Sequence, residues 1–422
     1  MRYFIIAGEA SGDLHASNLI KQIRLQDPNA EFAGMGGDKM QAAGCQLKQH
    51  YREMAYMGVF AVLAHLPQIR RNFHIAYQSL IDYQPDALIL TDYPSFNLKV
   101  AAYCKKHLPD TRIYYYIPPK IWAWKTWRVH KIARLCDEVL GIFPFEPAFY
   151  AKYNYRCTYI GNPTNDTIRQ WCNAHPLPTS AEERENLIAL LPGSRRSEIS
   201  HCLPTMLQAA RQVAERLYRE NGVRPHIVVT AAPGVEDGFY TPYLQGELLT
   251  RDTYATVAKA KAAVVNSGTA TLETALLRCP QTAVYYIACS RWLEWLLRPI
   301  LFHIPHFTLV NILSDNDIRS KQHGKQIIEK PKQIIEKPKQ VIEKPKQVIE
   351  KPKQVIEELK QIIEELVASR FTEENVEHEL YRLMTDAPYR QEIEDGYARI
   401  QSLLGTEYAA KTAAAHITGN LQ

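Results

Sequence analysis

The chain has 422 residues, room for two domains of ordinary size, each with its own core. Hydrophobic residues make up 46% and charged residues 23%, near the globular average, which excludes a disordered chain, a collagen-like repeat or a small disulfide scaffold. The 50 Lys+Arg against 45 Asp+Glu leave a net charge of +5, too small an excess to argue for a nucleic-acid partner.

The chain opens on MRYFIIAGEASGDLH, an apolar run that turns polar by Glu9. It is too short for a signal peptide and reads as a first buried strand, so a cytoplasmic protein is expected. Further short apolar runs follow at Ala87–Leu90, Arg112–Ile117, Glu138–Ile142, Leu187–Leu191, Ile227–Thr230, Ala262–Val265 and Thr282–Tyr286, separated by helix-period segments. That alternation predicts parallel strands with crossover helices: an α/β chain of two doubly wound, Rossmann-like domains. The least regular stretch, Asn162–Arg184 with Pro163, Pro176 and Pro178, predicts the join. The expected domains are 1–168 and 185–320, with a ligand cleft at the carboxyl ends of their strands.

From Lys325 to Glu357 a KPKQ(I/V)IE heptad recurs, with prolines at 331, 338, 345 and 352. A proline in every heptad removes a helix hydrogen bond each time, and the apolar pair is adjacent, so 321–357 reads as a solvated linker and not a coiled coil. The proline-free VIEELKQIIEELVASRF that follows predicts a helix, the first of the C-terminal helices over 358–422. The eight cysteines (45, 104, 136, 157, 172, 202, 279 and 289) form neither CxxC pairs nor a cluster with histidine, so they read as buried reduced thiols and no metal site is expected. No apolar stretch reaches the ~18 residues of a spanning helix, so any membrane contact would be peripheral.

Five loops carry chemistry. Gly8–His15 follows the first strand and opens a helix; its small residues let backbone N–H groups approach a phosphate or sugar, or it is a tight turn capped by Ser11 or Asp13. Asp92, where the run ALIL ends, is placed for a general base or for an ordinary turn. Trp122 and Trp124 beside Pro118 and Pro119 form a stiff aromatic platform. Pro192-Gly193-Ser194-Arg195-Arg196 offers backbone donors, a hydroxyl and a guanidinium fork to a diphosphate. Ser267-Gly268-Thr269 repeats the theme, with Glu273 one turn on for ribose hydroxyls.

Ten short motifs, AGEASGDLH, GMGGDKM, MGVFAVL, TDYPSFN, PPKIWAW, FPFE, IGNP, LPGSRRSEI, SGTATLE and VNIL, occur in this order between residues 7 and 313. Together they resemble the lipid-A-disaccharide synthase family. The resemblance implies a GT-B fold, with C-terminal helices packing back on an N-terminal domain that takes the acceptor while the C-terminal domain takes the sugar nucleotide. It implies an inverting, cofactor-free and metal-independent transfer from UDP-2,3-diacylglucosamine to 2,3-diacylglucosamine 1-phosphate, giving a β-1,6-linked disaccharide and UDP. Residue by residue, Asp92 matches the candidate base, with His15 the other candidate. Ser11, Gly12, Asn97 and Trp122 fall in the acceptor or sugar loops. Ser194, Arg195, Ser267, Gly268, Thr269, Glu273 and Asn311 match the UDP site. Ser95 and Val310 stand where the family usually has Asp and Pro; the first departure weakens any mechanism that needs a carboxylate pair and leaves Asp92 untouched. The resemblance further implies peripheral contact with the cytoplasmic face of the inner membrane, for which Val59, Phe60 and Leu63, ahead of Arg70 and Arg71, and Trp292 and Trp295 have the right composition. A homodimer with exchanged C-terminal helices is a further expectation. The alternatives are another UDP-sugar enzyme of this fold, an epimerase or a lipid-linked transferase, or a catalytically silent nucleotide-sugar-binding protein.

Overall fold

In a computed structural model, which describes residues 1–54, 66–124, 126–178, 183–287, 306–317 and 361–421, the chain divides into two compact units, Met1–Thr167 with Leu404–Gln422, and Ile168–Leu403. Val59, Phe60, Leu63, Trp292, Trp295 and the heptads lie outside the described residues.

The first unit holds a parallel sheet in the order β3-β2-β1-β4-β5-β6-β7. Its strands are β1 (Arg2–Ala7), β2 (Glu31–Gly36), β3 (Gln46–His50), β4 (Ala87–Thr91), β5 (Arg112–Tyr116), β6 (Glu138–Gly141) and β7 (Cys157–Tyr159). Successive side chains of β1 enter different cores: Phe4 and Ile6 pack on one face, Tyr3, Ile5 and Ala7 on the other. Helices therefore cover both faces, and the strands read as unbroken apolar runs. The helices are α1 (Ala10–Gln26), α2 (Asp38–Ala42), α3 (Leu66–Tyr83), α4 (Pro94–His107), α5 (Ile121–Trp124), α6 (Arg128–Leu135) and α7 (Glu146–Ala151). The boundary between the units falls inside α8 (Pro163–Ala174), so the first half of the stretch expected to be irregular is helix, while Pro176 and Pro178 lie in irregular backbone after it.

The second unit repeats the plan, with strand order β10-β9-β8-β11-β12-β13. These are β8 (Glu185–Leu191), β9 (His226–Thr230), β10 (Leu248–Thr250), β11 (Ala260–Asn266), β12 (Gln281–Tyr285) and β13 (Glu365–Val367). Its helices are α9 (Arg196–Asn221), α10 (Thr253–Lys259), α11 (Thr269–Leu276), α12 (309–317), α13 (Glu373–Thr385) and α14 (Ala387–Leu404). The expected pair of Rossmann-like units is what the structure has. In each, strand order reverses beside the first strand, which opens a crevice at the carboxyl ends of β1 and β4 and of β8 and β11.

Two expectations are corrected. Residues 362–370 are not helical: they form a bend, the strand β13 paired with β12, and a 3-10 turn at Ala368–Arg370. Burying Ile362, Ile363 and Leu366 and completing the ladder outweighs the helix propensity of the Glu-Glu-Leu run. The C-terminal helices also divide between the units. The helix α13 lies on α9 and the second sheet. Only α15 (Ala409–Gly419) returns to the first unit, setting Ala409, Ala413, Ala414 and Ile417 against Leu19, Ile20 and Ile23 of α1. Among the described residues no helix is long and apolar enough to cross a membrane.

Candidate active site

The first crevice is built around a strained turn. Asp92 and Tyr93, just past β4, both have φ of +43°, and Ile117, just past β5, has φ of +58°. Left-handed backbone is unfavourable for non-glycine residues and especially for a β-branched one, so the surroundings must hold it. They do. The Asp92 N–H donates to the Ile117 carbonyl at 3.2 Å, and the Asp92 carbonyl accepts from the Tyr115 hydroxyl and the Asn97 amide, each at 2.7 Å. Asn97 also donates to the Thr91 carbonyl at 3.1 Å. Being fully buried, Asn97 braces the turn from beneath and does not face an acceptor sugar.

The Asp92 side chain is thereby aimed into a cavity of about 290 Å³ lined by Pro94, Ile117, Pro118, Pro119, Lys120, Ile121, Arg128, Ile142 and Phe143. Its carboxylate reaches solvent at the mouth, yet the protein around it raises its pKa by desolvation, against the attraction of Lys120. Behind the wall, Glu146 is wholly buried and accepts from the Ile142 and Phe143 amides, at 2.7 and 2.9 Å, and from the Trp122 indole at 3.1 Å. Burial raises its pKa to about 7. Trp122 stands edge-on to Phe143 and Phe145, so it shapes the wall rather than lining the space.

The Gly8–His15 loop adjoins this turn. A Cβ at Gly8 would lie 2.5 Å from the Tyr93 ring, so this position needs glycine for close approach, and one at Gly12 would sit tightly, 3.3 Å from Ala7 Cβ. Ser11 is exposed in the first turn of α1, which starts without a side-chain cap. Asp13 caps elsewhere: its carboxylate accepts from Gly37, Lys39 and Met40 amides at 2.8 to 3.0 Å, tying α2 to α1. His15 is half-buried and outside the cavity lining; burial pulls its pKa down to about 4, so its imidazole is neutral at pH 7.

In the second unit the loops after β8 and β11 face each other. Gly193, at φ +126°, has room for no Cβ, which would lie 2.7 Å from Glu198 and 2.8 Å from the Asn266 amide. Arg195 and Arg196 open the 26-residue helix α9. Cations at the positive end of a helix dipole are unfavourable without an anion beside them. Glu198 supplies one: it accepts from the Ser194 amide at 2.8 Å, the Ser194 hydroxyl and Arg195 amide at 3.3 Å, and pairs with the Arg195 guanidinium at 3.5 Å. Gly268 and Thr269 are exposed at the start of α11, whose first amides have no partner within the helix. The Ser267 hydroxyl donates to the Phe307 carbonyl at 3.2 Å. Glu273 accepts from the Tyr254 hydroxyl at 3.1 Å, and burial raises its pKa. Asn311 is corrected from ligand to brace. Its amide donates to the Ile363 carbonyl and to Glu365, each at 2.9 Å, and its oxygen accepts from the Ile362 and Ile363 amides at 2.9 and 3.2 Å, which exhausts its bonding capacity.

Sequence reading missed Lys120, Arg128 and Glu146. Glu146 lies in the quoted FPFE run, whereas nothing local marks Arg128 as a neighbour of Asp92.

Residues 3–377 match the family described as lipid-A-disaccharide synthetase. The chain belongs to that family. The lipid-A-disaccharide synthases of Geobacter sulfurreducens and Xylella fastidiosa strain M12 are 34% and 38% identical over 322 and 327 residues, covering 74% and 75% of this chain and 81% and 83% of theirs. Among solved structures, an S. aureus MnaA–UDP complex superposes with a TM-score of 0.58 at 10% identity, covering 100% of this chain and 97% of its own. The calicheamicin glycosyltransferase CalG4 gives 0.53 at 13%, covering 100% and 98%. At such identity these two show the GT-B fold alone. Membership in the lipid-A-disaccharide synthetase family makes the protein a glycosyltransferase of lipid A synthesis and disfavours the epimerase, lipid-linked transferase and silent-protein readings.

Proposed function

We propose that the chain moves 2,3-diacylglucosamine from its UDP derivative to the 6-hydroxyl of 2,3-diacylglucosamine 1-phosphate, inverting the anomeric carbon and releasing UDP. The observation that carries this reading is the Asp92 carboxylate, held by a strained turn at the mouth of a sugar-sized cavity. As the 6-oxygen bonds to the anomeric carbon, its proton passes to Asp92 and the bond from that carbon to the diphosphate oxygen breaks. Desolvation makes Asp92 a stronger base than a carboxylate in water. Charge on the departing UDP is met by Arg195, Ser194 and the amino ends of α9 and α11, with Glu273 on the ribose. The test is to incubate pure protein with both acylated substrates, follow UDP release and identify the product by mass spectrometry. A disaccharide 1-phosphate formed in step with UDP supports the reading. Donor consumed without acceptor, or donor bound without turnover, refutes it.

Docking on the cytoplasmic face of the inner membrane has support of its own. The helices α3, α4 and α6 pack side by side on one face of the first sheet and carry Arg70, Arg71, Lys99, Lys106, Lys131 and Arg134 against a single acid, Asp82, while Lys105 is paired with Asp137. Each Lys or Arg near an anionic surface contributes about 1 kcal/mol. Sedimentation with phosphatidylglycerol vesicles should therefore show binding that high salt and the triple change Arg70→Glu, Lys106→Glu, Arg134→Glu abolish. Equal binding to neutral vesicles would remove the idea. A homodimer by exchange of α15 is tested by light scattering.

A further inference from the structure

The cavity beside Asp92 holds two cations that the reaction above does not use. Lys120 reaches it from the turn after Pro118-Pro119, and Arg128 from the first turn of α6. Among the described residues, neither has a carboxylate within the 4.0 Å of an ion pair. Asp92 and Glu146 act on the Lys120 ammonium only from farther off, and the protein around that ammonium lowers its pKa. Arg128 is half-buried, with its charge felt at the Tyr115 hydroxyl that supports Asp92. The rest of the lining is apolar: Pro94, Ile117, Pro118, Pro119, Ile121, Ile142 and Phe143. Lys120 is exposed at the cavity mouth, its ammonium 6.0 Å from the Phe143 ring centre, and Arg128 is half-buried, so both are open to an anion entering from solvent.

We propose that Lys120 and Arg128 form a subsite for a phosphate monoester. The lining carries two positive groups, which match the nearly two negative charges of one phosphate monoester, with the Asp92 carboxylate beside them. The volume of about 290 Å³ corresponds to about ten waters at ~30 Å³ each. That is room for a single pyranose ring with its phosphate. The inference rests on the transfer reading in one respect: it assigns the subsite to the anomeric phosphate of the acceptor. The 6-hydroxyl hangs on C5, which is joined to the anomeric carbon through the ring oxygen, so a phosphate fixed on the two cations keeps the 6-hydroxyl in the same small cavity as Asp92. The pair thus selects an acceptor that is already phosphorylated and orients it for attack.

Two measurements test this. In kinetics, Arg128→Gln and Lys120→Gln should each raise KM for 2,3-diacylglucosamine 1-phosphate about tenfold to a hundredfold, the range for charge-assisted hydrogen bonds, and leave KM for the donor unchanged. With an acceptor that lacks the phosphate, wild type should be poor by a similar factor and the variants no worse, because the interaction is already absent. Equal losses on both acceptors would overturn the proposal and assign the side chains a structural role. In binding, calorimetry with glucosamine 1-phosphate should show an affinity for wild type that Arg128→Gln loses, that Arg128→Lys partly restores, and that glucosamine does not match. Equal affinity for glucosamine and its 1-phosphate also overturns the subsite. This second arm does not depend on turnover, so failure of the transfer reading and failure of the subsite give different results.

Discussion

Replacing Asp92 with Asn exchanges one carboxylate oxygen for an amide and leaves its backbone support in place. The N–H bond to Ile117 and the carbonyl bonds from Tyr115 and Asn97 do not involve the side chain. Asn also tolerates the left-handed conformation at φ +43° better than most residues. The change should therefore cost the fold less than ~1 kcal/mol, and removing a partly desolvated charge offsets some of that. The chemical loss is larger. A positioned general base contributes ~10²–10⁴-fold, or ~3–5 kcal/mol of activation free energy. Among the described residues no second carboxylate lines the cavity to take over, and Ser95 stands where relatives are expected to carry one, so the upper part of that range is expected. The assay is UDP release at saturating donor and acceptor, with UDP affinity measured by calorimetry and a thermal melt as the control for folding. Turnover should fall by about three to four orders of magnitude, with UDP affinity kept. In wild type the acid limb of kcat should lie above the ordinary carboxylate range of ~3.9, since burial raises the Asp92 pKa, and turnover should fall as pH drops through it. Near-normal turnover in Asp92→Asn would sink the assignment and leave His15, neutral at assay pH, as the base.

Glu146 predicts a pH dependence of stability. Its pKa rises from 4.5 unfolded to about 7 folded, so between those values the native state binds the extra proton and stability falls as pH rises, by on the order of 3 kcal/mol across the window. Glu146→Gln should flatten that part of a Tm-against-pH curve, apart from a constant offset for the lost Trp122 bond; an unaltered slope would contradict the burial argument. Arg195→Lys should raise the donor KM nearly as far as Arg195→Ala, because an ammonium cannot reproduce the guanidinium fork, and an unchanged donor KM in Arg195→Ala would exclude the role. Replacing residues 318–360 with a Gly-Ser linker of about a quarter the length should keep activity within a few-fold and add no more than ~1.2 kcal/mol of stability from loop closure. The flanks are already stitched together by Asn311 and Glu365, so a folded but inactive product would show that the repeats help to form the site.

The apolar runs at Tyr3–Ala7, Ala87–Leu90 and Leu187–Leu191 were legible because a strand covered on both faces must be apolar throughout, and a run of that kind identifies itself without knowledge of its neighbours. Short or edge strands were not. β10 spans three residues, β2 carries Gly34 and Gly36, and β13 became a strand because β12 offered an open edge to a segment whose local propensity favours helix. The candidate site divides in the same way. Asp92, Ser194, Arg195 and the Ser267–Thr269 turn could be named from sequence, since strand ends and helix starts concentrate reactive groups at predictable positions along the chain. What each side chain does with its hydrogen-bonding capacity depends on partners far away in sequence. Asn311 is saturated by residues about fifty positions on, Asp13 is turned to the amides at 37–40, and Arg128 and Lys120 meet Asp92 only because β4 and β5 are neighbours in the sheet. Sequence alone therefore determined the two-unit α/β plan and the loops where chemistry is placed. Tertiary structure alone decided which polar groups in those loops are already satisfied by the protein and which cations, among the described residues, have no carboxylate at ion-pair distance, because hydrogen-bond saturation and desolvation depend on neighbours in space rather than along the chain.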